Sequence, residues 1–283
     1  MGAAIAQRLI EVGHQVTVWN RTREKLEAVT NAGAAVAATP AELADRCATV
    51  ITILTDAAAI AAVYDGSAGL LAGNVGEKLF IEMSTVEPQT EIELAAMVRN
   101  KGAAFVECPV GGTVGPARDG KLFGFAGGTG ADVARARPLL EKLCRRIEHV
   151  GGAGAGARMK LAINLPLLVY WQSLGEALAL CRPLGLPPER VVDILADTSG
   201  AATAMKNRAP DIARALGGQL PASASFDVRA ARKDLSTMVA YAKTLGLDLP
   251  AASAALGSFD DAARHGLADK DAIAVPARWG TGT

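Results

Sequence analysis

Hydrophobic and polar positions follow two different patterns along this chain. Up to about Val150, short runs of apolar and β-branched residues recur between helical stretches, at 15–19, 49–54, 78–82, 103–107, 122–126 and 146–149. After the glycine-rich run GGAGAG at 151–156, apolar residues follow helical spacing only. The pattern predicts an α/β domain over 1–153, with a mainly parallel sheet, and an all-α domain over 154–283.

Glycine and proline mark the ends of the predicted helices. Thr39-Pro40 and Glu87-Pro88 are typical helix starts, and Gly102 is typical of a helix end. The segment RWGTGT after Ala277 is predicted to be a frayed end. In the second half, helices are predicted at 157–183, 187–197, 201–216, 226–245 and 250–265.

The first residues look like the end of a phosphate-binding turn whose first half is absent. Gly2 is followed by Ala6 and Leu9 on one helical face, by Gly13 as a helix end, and by a β-branched strand. In a G-x-G-x-x-G Rossmann unit, a preceding strand and two earlier glycines complete this turn. We therefore predict a Rossmann-type N-terminal domain that lacks its first strand. Because that strand would be central, we expect two exposed inner edges, poor folding, and a natural start roughly ten residues upstream of Met1.

Composition limits the classes of partner. The 29 basic and 29 acidic residues cancel without any basic cluster, so no nucleic acid is expected and a small molecule is the predicted partner. No stretch of about 18 apolar residues or signal peptide is evident, which predicts a cytoplasmic protein without a membrane span. No metal site is expected, because the cysteines and histidines are scattered: Cys47, Cys108, Cys144, Cys181, His14, His149 and His265.

Several motifs, taken in this order, resemble the β-hydroxyacid dehydrogenase family, which includes 3-hydroxyisobutyrate dehydrogenases, tartronate semialdehyde reductases and glyoxylate/succinic semialdehyde reductases. They are Met1-Gly2, VTVWNRT at 16–22, EMSTVEP at 82–88, CPVGGTVGPARDGKL at 108–122, GAGARMKLAIN at 154–164 and RKDL at 232–235. The resemblance implies a reductase of small aldehyde acids, or a dehydrogenase of the matching hydroxy acids. It also implies a nicotinamide cofactor in the N-terminal domain and a homodimer or homotetramer formed through the helical domain.

Lys160 matches the family's lysine in the K-L-x-x-N segment, and the resemblance implies that it is the general acid and base. An ammonium group can donate a proton to oxygen during reduction and, with its pKa lowered by burial, accept one during oxidation. Asn164 lies on the same helical face, where its amide could orient the lysine or bind the substrate. Without the motif, Lys160 would be interpreted as an exposed helix lysine.

The cofactor prediction concerns the carboxyl ends of the strands, where ligands bind in open α/β folds. The strand at 15–19 is followed by no acidic residue that would bind the ribose of NAD, whereas Arg21 with a neighbouring hydroxyl suits a 2′-phosphate. NADPH is therefore favoured, with NADH as the alternative. Simple helix capping by Thr22, Ser84 and Thr85 also stays open. The predicted cofactor residues are Met1, Gly2, Asn20, Arg21, Thr22, Leu54, Thr55, Ser84, Thr85 and Lys233.

The predicted substrate residues are Gly111, Gly112, Thr113, Phe226 and Asp234. Family members usually carry a serine where this chain has Gly111, so one hydroxyl contact to a substrate carboxylate is absent and the usual substrates are in doubt. Gly112 and Thr113 could equally form a plain turn, Phe226 could be a core residue, and Lys233-Asp234 could be two solvated charges.

The sequence is interpreted as an NADPH-preferring oxidoreductase of a small aldehyde or keto acid, or of a 3-hydroxy acid. Two alternatives stay open. Imine reductases share this fold, and the absence of the serine at Gly111 leaves that activity open. A dinucleotide-binding protein without catalysis is the other alternative, because absence of the first strand and two glycines would weaken cofactor binding.

Overall fold

The computed structural model describes residues 1–281. The chain forms two compact units, Met1–Lys160 and Leu161–Thr283. The division falls inside a 27-residue helix, Ala155–Cys181, which continues through Pro166. Within the described residues, no helix is both long enough and apolar enough to cross a membrane.

The first unit is the predicted α/β fold, and all six predicted strands are present with shifted ends. Two further strands of two residues each, at 35–36 and 110–111, were not predicted. The strands are β1 (Thr17–Val18), β2 (Ala35–Val36), β3 (Thr49–Thr52), β4 (Leu79–Glu82), β5 (Ala104–Glu107), β6 (Val110–Gly111), β7 (Leu122–Gly127) and β8 (Cys144–Gly151).

The helices begin largely where the sequence indicates. The Thr39 hydroxyl accepts the Glu42 amide at 3.1 Å, so Thr39-Pro40 starts a helix as predicted. The helices of the first unit are α1 (Gly2–Glu11), α2 (Glu27–Thr30), α3 (Pro40–Arg46), α4 (Ala57–Tyr64), α5 (Pro88–Asn100), α6 (Val114–Arg118) and α7 (Gly130–Leu143). Helix α8 (Ala155–Cys181) is followed by α9 (Pro188–Ala196), α10 (Thr203–Leu216), α11 (Val228–Thr244), α12 (Pro250–Ala262) and α13 (Ala274–Thr281).

The first unit contains two separate sheets, and the break between them falls between β1 and β3. Strands β1 and β2 pair in parallel as a two-stranded sheet, while β3-β4-β5-β7-β6 form a second sheet in which β8 also pairs with β7. In the doubly wound order 3-2-1-4-5-6, the first strand separates the positions that β1 and β3 occupy here. The prediction of a Rossmann-type domain without its first strand is confirmed. A cleft of about 950 Å³ lies at this division, lined by residues of α1, β1, β3 and α7.

Strands β4 and β5 are buried on both faces, which explains their continuous apolar runs. Ile81 and Val106 pack with α1 and α7, whereas Phe80 and Phe105 pack with residues of α4 and α5. Helices therefore cover both faces of this sheet. The β1-β2 pair packs on a small hydrophobic cluster. Its buried residues are Ala6, Leu26 and Val29, and Val18 and Val36 of the two strands are partly buried against them.

The second unit is helical, as predicted, around a core that includes Leu168, Leu235 and Phe259. The prediction of a frayed end after Ala277 is wrong as far as Thr281, because α13 continues to that residue. A β-carbon added at Gly175 would lie 2.7 Å from Cδ1 of Trp279, so that glycine permits close packing of α13. The last two residues of the predicted frayed end lie outside the described range.

Candidate functional site

The carboxyl ends of β3 and β4 are tied together by Ser84. Its hydroxyl accepts the Leu54 amide at 2.7 Å and donates to a carboxylate oxygen of Glu82. Ser84 is only 2% exposed, and the cap position of α5 is Glu87, which makes no side-chain capping bond. Because the Ser84 hydroxyl is bonded to Leu54 and Glu82, the capping alternative is wrong for Ser84, and it stays open for Thr85. Ser84 fixes the relative position of two strand ends at the edge where the cofactor was predicted.

The loop after β3 carries Thr55 and begins the next helix. The Thr55 hydroxyl donates to Asp56 at 3.1 Å, and Asp56 accepts the Ala59 amide at 2.8 Å to cap α4. A capped helix start immediately after the strand gives this loop a fixed conformation. Leu54 and Thr55 thus stand beside Ser84 at one edge of the sheet, and their contact with a cofactor stays a prediction.

The loop after β1 is ordered by a hydrogen bond from Asn20 Nδ2 to the Thr22 carbonyl at 2.7 Å. Arg21 is exposed beside it. Thr22 precedes a 3₁₀ turn at Arg23–Leu26 but its side chain makes no capping bond, so the capping alternative is wrong here too. An exposed guanidinium next to a hydroxyl, with no carboxylate in the loop, fits a phosphate group better than a ribose diol.

Met1 and Gly2 lie at the start of α1, directly above β3. A β-carbon added at Gly2 would lie 3.1 Å from Cγ2 of Ile53, so the absence of a side chain allows this close approach. This is the role that the third glycine plays in a dinucleotide-binding turn. The site thus fits a dinucleotide at this helix start and at the strand ends, whereas the two earlier glycines of the turn are not part of the chain.

Three buried glutamates meet beneath the strand ends, a feature that the sequence analysis missed. Glu82 and Glu107 are register partners on β4 and β5, and Glu91 comes from α5; all three are at most 1% exposed. Neither carboxyl oxygen of Glu91 has a hydrogen-bond partner among the described residues. The available signal was acidic residues ending two otherwise apolar strands. We call these residues the glutamate cluster.

Burial changes the protonation of the glutamate cluster. It raises the pKa of Glu82 and the pKa of Glu107 to about 7, although hydrogen bonds from Ser84 and from the start of α8 oppose the shift. Burial and the neighbouring carboxylates raise the pKa of Glu91 well above its ordinary value. Within the part of the chain that the structure describes, no group of three metal-ligating side chains has the arrangement of a metal site.

Lys160 lies in the second turn of α8 and is 8% exposed. The interpretation as an exposed helix lysine is therefore wrong. The start of α8 is held by Glu107, whose two carboxyl oxygens accept the amides of Gly156 at 2.8 Å and Ala157 at 3.3 Å. A buried lysine near a capped helix start has a fixed position and limited access to water.

In the second unit, a chain of polar contacts joins three predicted site residues. Asn164 Nδ2 donates to Asp234 Oδ2 at 3.2 Å, and Lys233 Nζ lies 2.7 Å from Asp234 Oδ1. Asp234 is 4% exposed, so the alternative of two solvated charges is wrong for it. Phe226 packs against the core and its carbonyl accepts the Ala272 amide at 2.9 Å, which favours its core interpretation.

The predicted substrate loop leaves β6 beside β7. Gly111 pairs with Phe123, and Gly112 has φ of +126°, a conformation that favours glycine. Gly112 and Thr113 are exposed, and Thr113 does not cap the short helix α6 with its side chain. The loop presents backbone groups and one hydroxyl, as expected for a turn that lacks the family serine.

Comparisons with known proteins assign nearly the whole chain to one family. The family model for the NAD binding domain of 6-phosphogluconate dehydrogenase matches residues 1–151, and the model for the NAD-binding region of NADP-dependent 3-hydroxyisobutyrate dehydrogenase matches 154–278. Glyoxylate/succinic semialdehyde reductase 1 of Arabidopsis thaliana is 32% identical over 275 residues, which cover 97% of this chain and 93% of that protein.

Solved structures of related proteins have a similar fold over nearly the whole chain. A 3-hydroxyisobutyrate dehydrogenase of Mycobacterium tuberculosis, with L-serine, is 27% identical, with a TM-score of 0.84 and coverage of 98% of this chain and 94% of that one. An imine reductase of Myxococcus stipitatus, with NADP⁺, reaches 20% identity and a TM-score of 0.66, over 99% of this chain and 96% of that one. The second likeness concerns the fold alone.

Proposed function

The chain belongs to the β-hydroxyacid dehydrogenase family, and from this premise we propose that it is an NADP(H)-preferring oxidoreductase that interconverts a small aldehyde or keto acid with its hydroxy acid. The observation that carries this proposal is the burial of Lys160, at 8% exposure, behind the capped start of α8. Names of the relatives, a semialdehyde reductase and a 3-hydroxyisobutyrate dehydrogenase, support the substrate class.

NADPH supplies the hydride when it is bound. The residues of the first unit proposed to hold it are those at the start of α1 and at the carboxyl ends of the strands: Met1, Gly2, Asn20, Arg21, Thr22, Leu54, Thr55, Ser84 and Thr85. Ser84 acts through Leu54 and Glu82, because its hydroxyl is already bonded to both.

Lys160 moves the proton. In the direction of reduction, its ammonium Nζ donates a proton to the carbonyl oxygen of the substrate, so that C=O becomes C–OH, and the amine then regains a proton from water. In the direction of oxidation, the neutral amine accepts the hydroxyl proton. Asn164 is proposed to hydrogen-bond the substrate, since its amide is oriented by Asp234.

The direct test is a panel of small aldehyde acids and keto acids with NADPH, monitored by the absorbance of the reduced nicotinamide. Turnover with any of them supports the proposal. Binding of NADPH without turnover of any carbonyl or imine would support the non-catalytic alternative. Self-association through the helical unit is proposed from the family and is measured by sedimentation velocity.

Imine reduction is the second candidate, and one observation favours it. Gly111 offers no hydroxyl to a substrate carboxylate, so the loop after β6 does not demand an acidic substrate. A cyclic imine included in the same panel separates the two activities.

Arg21→Ala should raise the Kd for NADPH by roughly 10- to 100-fold, because the 2′-phosphate would lose a charge-assisted hydrogen bond. The Kd for NADH should change less than about 3-fold, since NADH has no 2′-phosphate. Fluorescence titration of both cofactors measures this. Arg23→Ala, which removes an exposed arginine two residues away, is the matched control and should leave both values unchanged. Equal weakening of both cofactors would contradict the proposed preference.

Gly111→Ser should lower KM for aldehyde acids by roughly 10- to 100-fold, because the new hydroxyl would donate to the carboxylate. Gly111 lies in strand β6, paired with Phe123, and the backbone of a strand accepts serine. Steady-state kinetics with each aldehyde acid and with an aldehyde of the same length that lacks the carboxylate provide the comparison. An equal change for both substrates would mean that this loop does not bind the carboxylate.

A further inference from the structure

We propose that Glu107 is a positioning residue for Lys160: its carboxyl group fixes the first turn of α8 against the end of the sheet, and thereby fixes the lysine that follows. The proposal rests on the role of Lys160 given under Proposed function. Glu107 itself is not proposed to touch substrate or cofactor.

Both oxygens of Glu107 are used at the helix start. Oε1 accepts the Gly156 amide at 2.8 Å and Oε2 accepts the Ala157 amide at 3.3 Å. The first amides of a helix have no partner within the helix, so a single carboxyl group satisfies two of them. Glu107 ends β5, which lies within the larger sheet, and is itself fully buried. The start of α8 is therefore joined to a rigid strand rather than to a loop.

Two glycines allow α8 and the sheet to come into close contact around the bonds that Glu107 makes to Gly156 and Ala157. A β-carbon added at Gly156 would lie 2.3 Å from the Phe125 carbonyl oxygen, and one added at Gly127 would lie 2.2 Å from Glu107 Oε1. Strand β7 thus packs closely against both the Glu107 carboxyl group and the start of α8. A side chain at either glycine position would displace the helix or the carboxyl group.

Lys160 lies one helical turn after the amide that Glu107 binds at Ala157. Ala157 precedes Lys160 by three residues, so the two lie on the same helical face one turn apart. Ala157 is 1% exposed and Lys160 is 8% exposed, so packing holds both. A shift of the first turn would move Nζ of Lys160 by a similar distance, and a displacement of about 1 Å can cost roughly 100-fold in rate.

Two carboxyl groups and one guanidinium group surround Glu107. Glu82 on β4 and Glu91 on α5 face it from the glutamate cluster, and Arg158 acts on it from α8. A neutral amide at this position would keep one acceptor oxygen but would turn an N–H group toward the second backbone amide.

Glu107→Gln should therefore lower kcat by roughly 10- to 100-fold, with KM and the Kd for NADPH within about 3-fold of the parent. The matched control is Thr129→Ala, because Thr129 caps α7 by accepting the Asp132 amide at 3.1 Å, away from the proposed machinery. Thr129→Ala should lower the melting temperature but leave kcat unchanged. Glu107→Asp, which keeps the charge on a shorter side chain, should recover part of kcat.

A second measurement does not depend on turnover. Hydrogen exchange at the amides of Gly156 and Ala157 should become at least 10-fold faster in Glu107→Gln and stay unchanged in Thr129→Ala. The rate of acylation of Lys160, followed by mass spectrometry as a function of pH, should shift in the first variant alone. Faster exchange with an unchanged acylation profile and unchanged kcat would overturn the proposal, as would unchanged exchange. If the parent enzyme proves inactive, exchange and acylation still decide whether Glu107 positions Lys160, separately from the proposed function.

Discussion

Lys160→Met should lower kcat by about 10³-fold while the Kd for NADPH stays within about 3-fold of the parent. General acid–base catalysis contributes roughly 10²- to 10⁴-fold, and methionine removes the titratable amine while filling a similar volume in a buried position. Stopped-flow reduction of the substrate under single-turnover conditions, together with cofactor titration, measures the two quantities. The expected pattern is loss of chemistry with retention of binding.

The control is Lys206→Met, which removes an exposed lysine of α10 by the same substitution. This variant should keep full activity. If Lys160→Met retained more than about a tenth of the parent's kcat at every pH, another group would have to supply the proton and the proposed mechanism would fail. If it instead lost NADPH binding, Lys160 would be a cofactor contact rather than the acid.

Adding a strand before Met1 should raise NADPH affinity by about 100-fold or more. The added segment would comprise about five apolar residues followed by Gly-x-Gly-x, so that Met1-Gly2 completes the phosphate-binding turn. The expectation follows from the cleft of about 950 Å³ that is lined by residues of both β1 and β3, which belong to separate sheets. Two regained backbone bonds to the pyrophosphate account for the affinity, and burial of the strand should add about 3 kcal/mol to the free energy of unfolding.

An extension of equal length composed of glycine and serine is the matched control. It changes the chain length but has no apolar side chains to fill the cleft, so affinity and melting temperature should stay at the parent's values. Chemical denaturation and NADPH titration of the three proteins give the comparison. Equal behaviour of both extended proteins would mean that the cleft does not accept a strand.

The order of elements was predictable because it depends on local patterns. Strands β4 and β5 are apolar runs that end in glutamate, and sheets covered on both faces select such runs. Proline after threonine or glutamate located the starts of α3 and α5. Helix α13 was missed because RWGTGT has poor intrinsic helix propensity, whereas packing of Trp279 against Gly175 stabilises it.

The candidate site was predictable only where a motif carries it. Lys160 and Asn164 follow from the motif, but nothing local indicates that Glu107 binds the start of α8, since these residues are about fifty positions apart. Burial of Asp234 beside Asn164 was equally hidden, because adjacent charges on a helix are usually solvated. Contacts between distant segments depend on tertiary packing, and one sequence gives no measure of that packing.

The glutamate cluster also alters the electrical character of the folded protein. The chain has 29 basic and 29 acidic side chains, a formal net charge of zero at pH 7 when every carboxyl is counted as ionised. Burial raises the pKa of Glu82 and the pKa of Glu107 to about 7, and it raises the pKa of Glu91 well above its ordinary value, so these carboxyl groups hold their protons to a higher pH in the folded chain than in the unfolded one. The glutamate cluster therefore contributes less negative charge to the native molecule near neutral pH than its composition implies, and it shifts the isoelectric point upward.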